Sequence, residues 1–494
     1  MKVKTFSGGY KLKRFQGQPQ DKIIECDLPS EVSIPMSQGF GSELLPSVKV
    51  GDKVSRGQII ACDDNKTSSP IHSSVSGIVT AIEKKNYFKR ELTMVTIKTG
   101  ADDGCLKLEG ATVRWDKLPN KKIEELLYKS GVSSLDREGI PTSFKTSIIG
   151  PEAVEDLIIH GVGSEAYNTS LDILLAGRNL YNFIEGIKIL MKIMPKAKVH
   201  LAFNKEKKKI LERIKKLTTK FTNFSIYPVV PKYPQGYDEV LVPTLLGKRF
   251  PYGYSAANIG IVVLNIQAVL KVFEAVGQGK PLIERIVSLC GPSFKENIHI
   301  KVRVGTSLEH LLKDRLKDGP CRIILNSLFT GANLNNLSLP VNRTYSQIIA
   351  IPESSQRHFL AFARAGMHTD SFSRTFLSAA TTTKKIPNTN MRGDERPCIQ
   401  CGYCSEVCPV AIMPTLIDRY IKLGINENLL RYGIFNCIEC NLCTYVCPSK
   451  VLLGQHLKAA KIKLIEIGCD QSLCIVPRFD FKEFDEYKGV KKLR

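Results

Sequence analysis

Along residues 48–82 (VKVGDKVSRGQIIACDDNKTSSPIHSSVSGIVTAI), short alternations of apolar and polar residues are cut by Gly51-Asp52, Gly57-Gln58 and Ser76-Gly77. A period of two places every second side chain on one face, and the glycine pairs supply turns, so this stretch predicts a small β unit. From about residue 120 to 280 the pattern changes: strand-like runs at 154–160 and 259–265 (IGIVVLN) alternate with helix-period segments such as 180–194. That alternation predicts an α/β domain. Residues 281–340 return to shorter strand signals, IERIVSLCG and IHIKVRVG among them, and predict a β-rich module. Residues 342–397 are largely polar, end in KKIPNTNMRGDERP and read as a linker. In 413–435 apolar positions recur at helical spacing, and in 204–220 (NKEKKKILERIKKLTTK) Ile210, Ile214 and Leu217 form one stripe of an amphipathic surface helix.

The cysteines sharpen this outline. The chain has 15 of them. Seven (Cys26, Cys62, Cys105, Cys290, Cys321, Cys469 and Cys474) stand alone and read as small buried apolar side chains. The other eight fall in two copies of C-x2-C-x2-C-x3-C-P, at Cys398, Cys401, Cys404 and Cys408 and at Cys437, Cys440, Cys443 and Cys447. This is the bacterial ferredoxin spacing for [4Fe–4S] clusters. Three thiolates on a tight loop reach three corners of one cubane, and the fourth cysteine of each copy ligates the other cluster. The expected sets are therefore Cys398, Cys401, Cys404 and Cys447 for one cluster, and Cys437, Cys440, Cys443 and Cys408 for the second. Zinc sites favour two separated C-x2-C knuckles, and a disulfide framework fits poorly with the absence of an export signal.

Composition narrows the partners. Lys plus Arg is 70 and Asp plus Glu is 48, a formal charge of 70 − 48 = +22, and 43% hydrophobic residues argue against a disordered chain. No apolar run is long enough to span a bilayer. Nucleic acid is not expected, because no recognition motif accompanies the charge. The basic surface suits anionic lipid, membrane partner subunits, or steering of a soluble acidic ferredoxin or flavodoxin.

The segment V-x-x-G-D-x-V-x-x-G-Q-x-I followed by S-G-x-V resembles the lipoyl/biotinyl barrel-sandwich hybrid, although Lys66 lacks the flanks of a cofactor-bearing lysine and His72 reads as structural. Taken in order, the chain resembles the RnfC family, whose members serve in the Rnf complex, an ion-translocating ferredoxin:NAD oxidoreductase. The likeness rests on Phe6-Ser7-Gly8-Gly9, Tyr233-Pro234-Gln235-Gly236, residues 259–265, Gly279-Lys280-Pro281-Leu282 and both cysteine motifs. It implies a multidomain α/β plus β architecture. The expected order is a barrel-sandwich hybrid (1–120), a Rossmann-like α/β domain resembling the NADH/FMN-binding subunit of respiratory complex I (121–280) and a β-grasp module (281–345). A linker (346–395), a two-cluster ferredoxin domain (396–465) and a tail (466–494) follow.

The resemblance also shows where this chain departs from its relatives. The family's G-L-G-G-A-G-F-P-T loop corresponds to residues 134–142, where Gly139, Pro141 and Thr142 remain but Asp136, Arg137 and Glu138 replace small residues. The segment G-A-E-C-E-P-Y corresponds to 161–167, keeping Glu165 and replacing one acidic residue by Gly163. The glycine-rich G-G-P-M-M-G loop corresponds to 326–331. The expectation is two [4Fe–4S] clusters with FMN and NADH in doubt, and a peripheral protein on the cytoplasmic face of the inner membrane. No general acid, base or nucleophile is assigned. The alternatives are an intact NADH-oxidising flavoprotein, a cobalamin-reductase-like relative, or a scaffold with structural clusters.

Overall fold

The computed structural model describes residues 2–12, 15–39, 41–63, 68–88, 90–101, 104–132, 154–250, 252–354, 371–373, 377–389 and 395–469. Lys66, the stretch 133–153 with Gly139, Pro141 and Thr142, and Cys474 lie outside the described residues.

The β unit near the N-terminus is an antiparallel sheet in the order Glu31–Pro35, Arg90–Thr99, Gly77–Tyr87, Lys53–Val54, faced by the pair Ile59–Ala61 and Ile71–His72. Alternate residues of these strands, including Val32, Ile34, Ile60, Val79, Val95 and Ile97, are fully buried between the two sheets. Each contributes about 1.5–3 kcal/mol of apolar burial. Gly77 has to be glycine, since a Cβ there would sit 1.9 Å from the Lys98 carbonyl oxygen. Cys62 is exposed, not buried as its isolation in sequence suggested.

Four parallel strands, in the order Phe224–Val229, Lys198–Asn204, Asp156–Gly161, Ile261–Asn265, form the α/β domain. Consecutive residues of the Asp156–Gly161 strand point to opposite faces. Leu157 and Ile159 pack with Asn120–Lys129, Asn179–Ile193 and Ile266–Gln278, while Ile158 packs with Asp238–Leu246. The basic segment is a helix, Lys208–Leu217, held by Ile214 and Leu211, with Ile210 and Leu217 partly buried beside them.

The third sheet runs Ile23–Glu25, His299–Arg303, Glu284–Cys290, Gln347–Pro352, Cys321–Leu325, Ala332–Asn333. Its two central strands are parallel and the strands flanking them antiparallel, with the short helix Leu308–Leu312 in between, which is a β-grasp. One central strand, Gln347–Pro352, falls past residue 345, inside the expected linker. Its run QIIAIP buries five of six residues, and its short length and polar surroundings masked it in sequence. The expected linker also holds Lys385, which is fully buried and accepts at its carbonyl a hydrogen bond from Gln16 N.

The C-terminal unit is built from Tyr403–Glu406, Pro414–Leu423, Asn426–Arg431, Leu442–Val446 and Leu453–Glu466 around Ile417, Leu429, Ile434, Phe435, Leu457 and Leu464. A strap from the N-terminus ties it to the α/β domain. Lys4 N donates to the Pro228 carbonyl, Gly9 N to the Val407 carbonyl, and Tyr10 and Tyr233 exchange backbone hydrogen bonds. The Lys232 ammonium donates to the Gly8 carbonyl and lies 4.1 Å from the centre of the Phe6 ring.

Candidate functional site

The two cysteine motifs fold into two copies of one loop. In the first, Gln400 and Gly402 have φ of 55° and 77°; in the second, Glu439 and Asn441 have 55° and 62°. Three residues after the fourth cysteine, Ala411 and Lys450 are again left-handed, at 56° and 58°. This repeated twist turns backbone N–H groups toward sulfur: Gln400 N donates to Cys398 Sγ and Glu439 N to Cys437 Sγ, both at 3.4 Å. Glycine and asparagine tolerate the left-handed region at 402 and 441, which accounts for those two choices.

The chain crosses over between the two loops. Cys398, Cys401, Cys404 and Cys447 line one small cavity together with Asp418, Val451 and Leu453. Cys437, Cys440, Cys443 and Cys408 form the other group, in which each of Cys408, Cys440 and Cys443 feels the charge of Cys437. Burial raises the pKa of all four, Cys408 to about 11, partly offset for Cys408 by the Val410, Ile412 and Ala411 N–H groups. Four converging thiols in apolar surroundings are unfavourable as thiolates unless a cation compensates them, and backbone N–H donors already point at the sulfurs. The donor sets therefore fit two [4Fe–4S] clusters.

Around these loops the surroundings differ. The Tyr233 hydroxyl donates to the Cys440 carbonyl at 2.9 Å, and its ring packs on Phe329, which in turn meets Tyr445. Lys461, 1% exposed, donates to the Cys437 carbonyl at 2.9 Å and to Glu439 Oε1 at 2.8 Å, with its Nζ 3.9 Å from the centre of the Tyr252 ring. On the first loop's side, buried Asp418 accepts from His456 Nδ1 at 2.6 Å and from Lys422 at 2.8 Å.

A cleft of about 2060 Å³ opens over the C-terminal ends of Asp156–Gly161 and Ile261–Asn265, where open α/β sheets bind ligands. Its walls include Glu165, Asp238 and Glu239 on the α/β side, and Cys437, Glu439 and Lys461 across from them. Glu165 accepts a hydrogen bond from Ser327 Oγ at 3.0 Å, so the two family segments compared in sequence meet here. Gly163 has φ of +60°, a conformation that favours glycine over the acidic residue of the family pattern. Sequence reasoning missed Lys461, although a signal existed: Lys461 lies 24 residues after Cys437, and Lys422 lies 24 after Cys398.

Comparisons agree with this layout. The family described as RnfC barrel sandwich hybrid domain matches residues 4–102, the Nuo51 FMN-binding domain 127–274, the NQRA C-terminal domain 286–336 and the 4Fe-4S dicluster domain 390–451. The RnfC-type component of a proton-translocating ferredoxin:NAD(+) oxidoreductase complex from Clostridium ljungdahlii is 27% identical over 84% of this chain and 84% of its own length. The corresponding components of ion-translocating oxidoreductase complexes from Pectobacterium atrosepticum and Pseudomonas aeruginosa are 26% and 28% identical. Those matches cover 100% and 90% of this chain but 67% and 53% of the relatives, so this chain spans about half the length of the Pseudomonas protein. An NAD+-reducing [NiFe]-hydrogenase structure aligns with a TM-score of 0.44 at 14% identity, covering 76% of this chain and 66% of that one.

A barrel-sandwich hybrid, a flavoprotein-like α/β domain, a β-grasp and a dicluster ferredoxin unit in one chain define an iron–sulfur component of an oxidoreductase. The chain belongs to the RnfC family.

Proposed function

We propose that this chain is the peripheral electron-transfer component of an Rnf-like ion-translocating oxidoreductase. It would carry single electrons between the cleft and a partner surface at the first cysteine loop. Cys398, Cys401, Cys404 and Cys447 would hold one cluster, and Cys437, Cys440, Cys443 and Cys408 the other. Bound there, the clusters supply one-electron storage with no bond made or broken. The observation that carries this reading is the contrast between the loops: Cys437 and Glu439 stand in the cleft wall, whereas Cys398 and Cys401 are exposed. The chain thus offers an inner and an outer terminus. Val407, Leu442 and Val446 keep water from the inner sulfurs, and Tyr233 fixes the loop that carries Cys440.

The flavin and nucleotide site reads as altered. Glu165, Asp238 and Glu239 face the cleft, and negative charge there opposes a phosphate group. Phe329 occupies the loop that is glycine-rich in the family, and Asp136, Arg137 and Glu138 interrupt the other. A net charge of +22, and a basic helix at Lys208–Leu217, favour docking on membrane subunits at the cytoplasmic face or on an acidic ferredoxin or flavodoxin. Among the described residues no helix is long and apolar enough to cross a membrane.

One experiment addresses both parts. Anaerobically reconstituted protein should bind two four-iron clusters and give an EPR signal after dithionite, yet neither quench FMN fluorescence nor oxidise NADH. Redox-inert clusters would overturn the electron-transfer reading. FMN quenching with NADH-driven cluster reduction would overturn only the altered site.

A further inference from the structure

The two cysteine loops are related by a shift of 39 residues, which pairs Cys398 with Cys437, Gln400 with Glu439 and Lys422 with Lys461. Backbone geometry follows the repeat closely, as the matching left-handed residues show. The charges do not. Lys422 reaches into water with its side chain 59% exposed and pairs with Asp418, whereas the Lys461 side chain is 1% exposed. At the equivalent of neutral Gln400 stands Glu439, which accepts from Lys461 and, at 3.4 Å, pairs with the exposed Lys458.

Lys461 is buried at a cost that its surroundings offset in three directions. Its ammonium reaches the Cys437 carbonyl at 2.9 Å, the Glu439 carboxylate at 2.8 Å and the face of Tyr252 at 3.9 Å, a cation–π contact. Tyr252 itself packs on Phe435, 5.4 Å between centroids. At the Cys437 sulfur, the pull of Lys461 outweighs the push of Glu439. A charge this close in a low-dielectric setting is screened far less than its counterpart Lys422.

We propose that Lys461 is a positioning residue that holds a fixed positive charge against the Cys437 loop, so that the cluster held by Cys437, Cys440, Cys443 and Cys408 accepts an electron more readily than it would without that charge. The proposal rests on the reading that both cysteine sets hold clusters. One electron arrives and one leaves; no proton is taken up and no bond is broken. A cluster core with four thiolates becomes more negative on reduction, so a nearby cation favours the reduced state. Glu439 tempers the effect, and Lys422, exposed and paired with Asp418, exerts little of it on the other loop. The two clusters then differ in potential through their surroundings, although their ligand loops are copies.

The test is an EPR-monitored redox titration of reconstituted full-length protein, with Cys443→Ser identifying the signal of the inner cluster. Lys461→Met is expected to lower that cluster's potential, changing its oxidised-to-reduced ratio at a fixed applied potential by about tenfold, which is about 59 mV for one electron. The other cluster should stay where it is. Lys461→Arg should keep the wild-type value. Glu439→Gln installs the residue already present in the first loop, and should move the inner cluster the opposite way; it serves as the deciding variant if Lys461→Met fails to fold. Lys422→Met should move neither cluster comparably. Both clusters present but indifferent to Lys461→Met and Glu439→Gln would overturn this proposal alone, as would shifts of the same sign in the two variants. A wild-type chain that takes up no iron would overturn the cluster reading as well.

Discussion

Ile399 and Ile438 occupy the same step of two copies of one loop, yet Ile399 is 67% exposed while Ile438 packs beside Tyr233, Val407 and Leu442 and lines the cleft. The outer loop presents Cys398 and Cys401 to solvent, whereas their counterparts Cys437 and Cys440 are buried. Oxidative attack should follow that difference. On exposure to ferricyanide and a chelator, the cluster held by Cys398, Cys401, Cys404 and Cys447 is expected to lose iron first. Iron release followed alongside the two EPR signals checks this; simultaneous loss would contradict it.

The crossed grouping of thiols gives a sharper test. Cys447 lies in the second motif but lines the cavity of the first three cysteines. Cys447→Ser should therefore abolish the same EPR signal as Cys404→Ser, and Cys408→Ser the same signal as Cys443→Ser. Signals lost by motif, not by cavity, would refute the crossing.

The N-terminal strap leaves no space at Gly8, which has φ of +72° and where a Cβ would lie 2.4 Å from the Cys408 carbonyl oxygen. Gly8→Ala combines left-handed strain with that clash, and should cost roughly 1–3 kcal/mol or more. A lower urea midpoint, together with less iron retained at the Cys408 set after desalting, is the expected outcome. Ala at Gly51, which has open space around it, serves as the comparison for backbone strain alone.

His72 makes stability depend on pH. It is buried beside the Arg343 guanidinium, with Nε2 2.8 Å from the Lys129 carbonyl oxygen, and burial, followed by that guanidinium, depresses its pKa from 6.5 to about 3. The unfolded chain binds a proton below about pH 6.5 while the folded chain stays neutral down to about pH 3, so stability is full above that window and falls as pH falls through it. At pH 5 the loss is about 2 kcal/mol. Urea unfolding followed by Trp115, the single tryptophan, should show that His72→Gln loses about 2 kcal/mol less than wild type between pH 7 and pH 5.

Much of this molecule was legible because its signals are local. The cysteine spacing named the eight thiols and their crossing, and runs such as IGIVVLN announced buried parallel strands. What escaped depends on distant contacts. Gln347–Pro352 looks like any short apolar run until Cys321–Leu325 and Glu284–Cys290 are set on either side of it. Lys461 reads as one more charge on a helix, because only the fold brings Tyr252 and Glu439 around it. The alignment of Glu165 with Ser327, 162 residues apart, is likewise invisible in either segment alone.

The strap has a consequence for how the chain is made. Residues 6–10 leave the ribosome first, but the Val407 carbonyl that receives Gly9 N is synthesised some 400 residues later. At 5–20 residues per second that is a wait of roughly 20–80 s. Throughout it, Phe6 and Tyr10 are apolar side chains at a free end with half of their resting place missing. The barrel-sandwich, α/β and β-grasp units can each close as they emerge, whereas the N-terminal segment is locked down only after the chain's last domain has appeared. The earliest residues translated are thus among the last to settle, and their arrival marks a chain that has been finished.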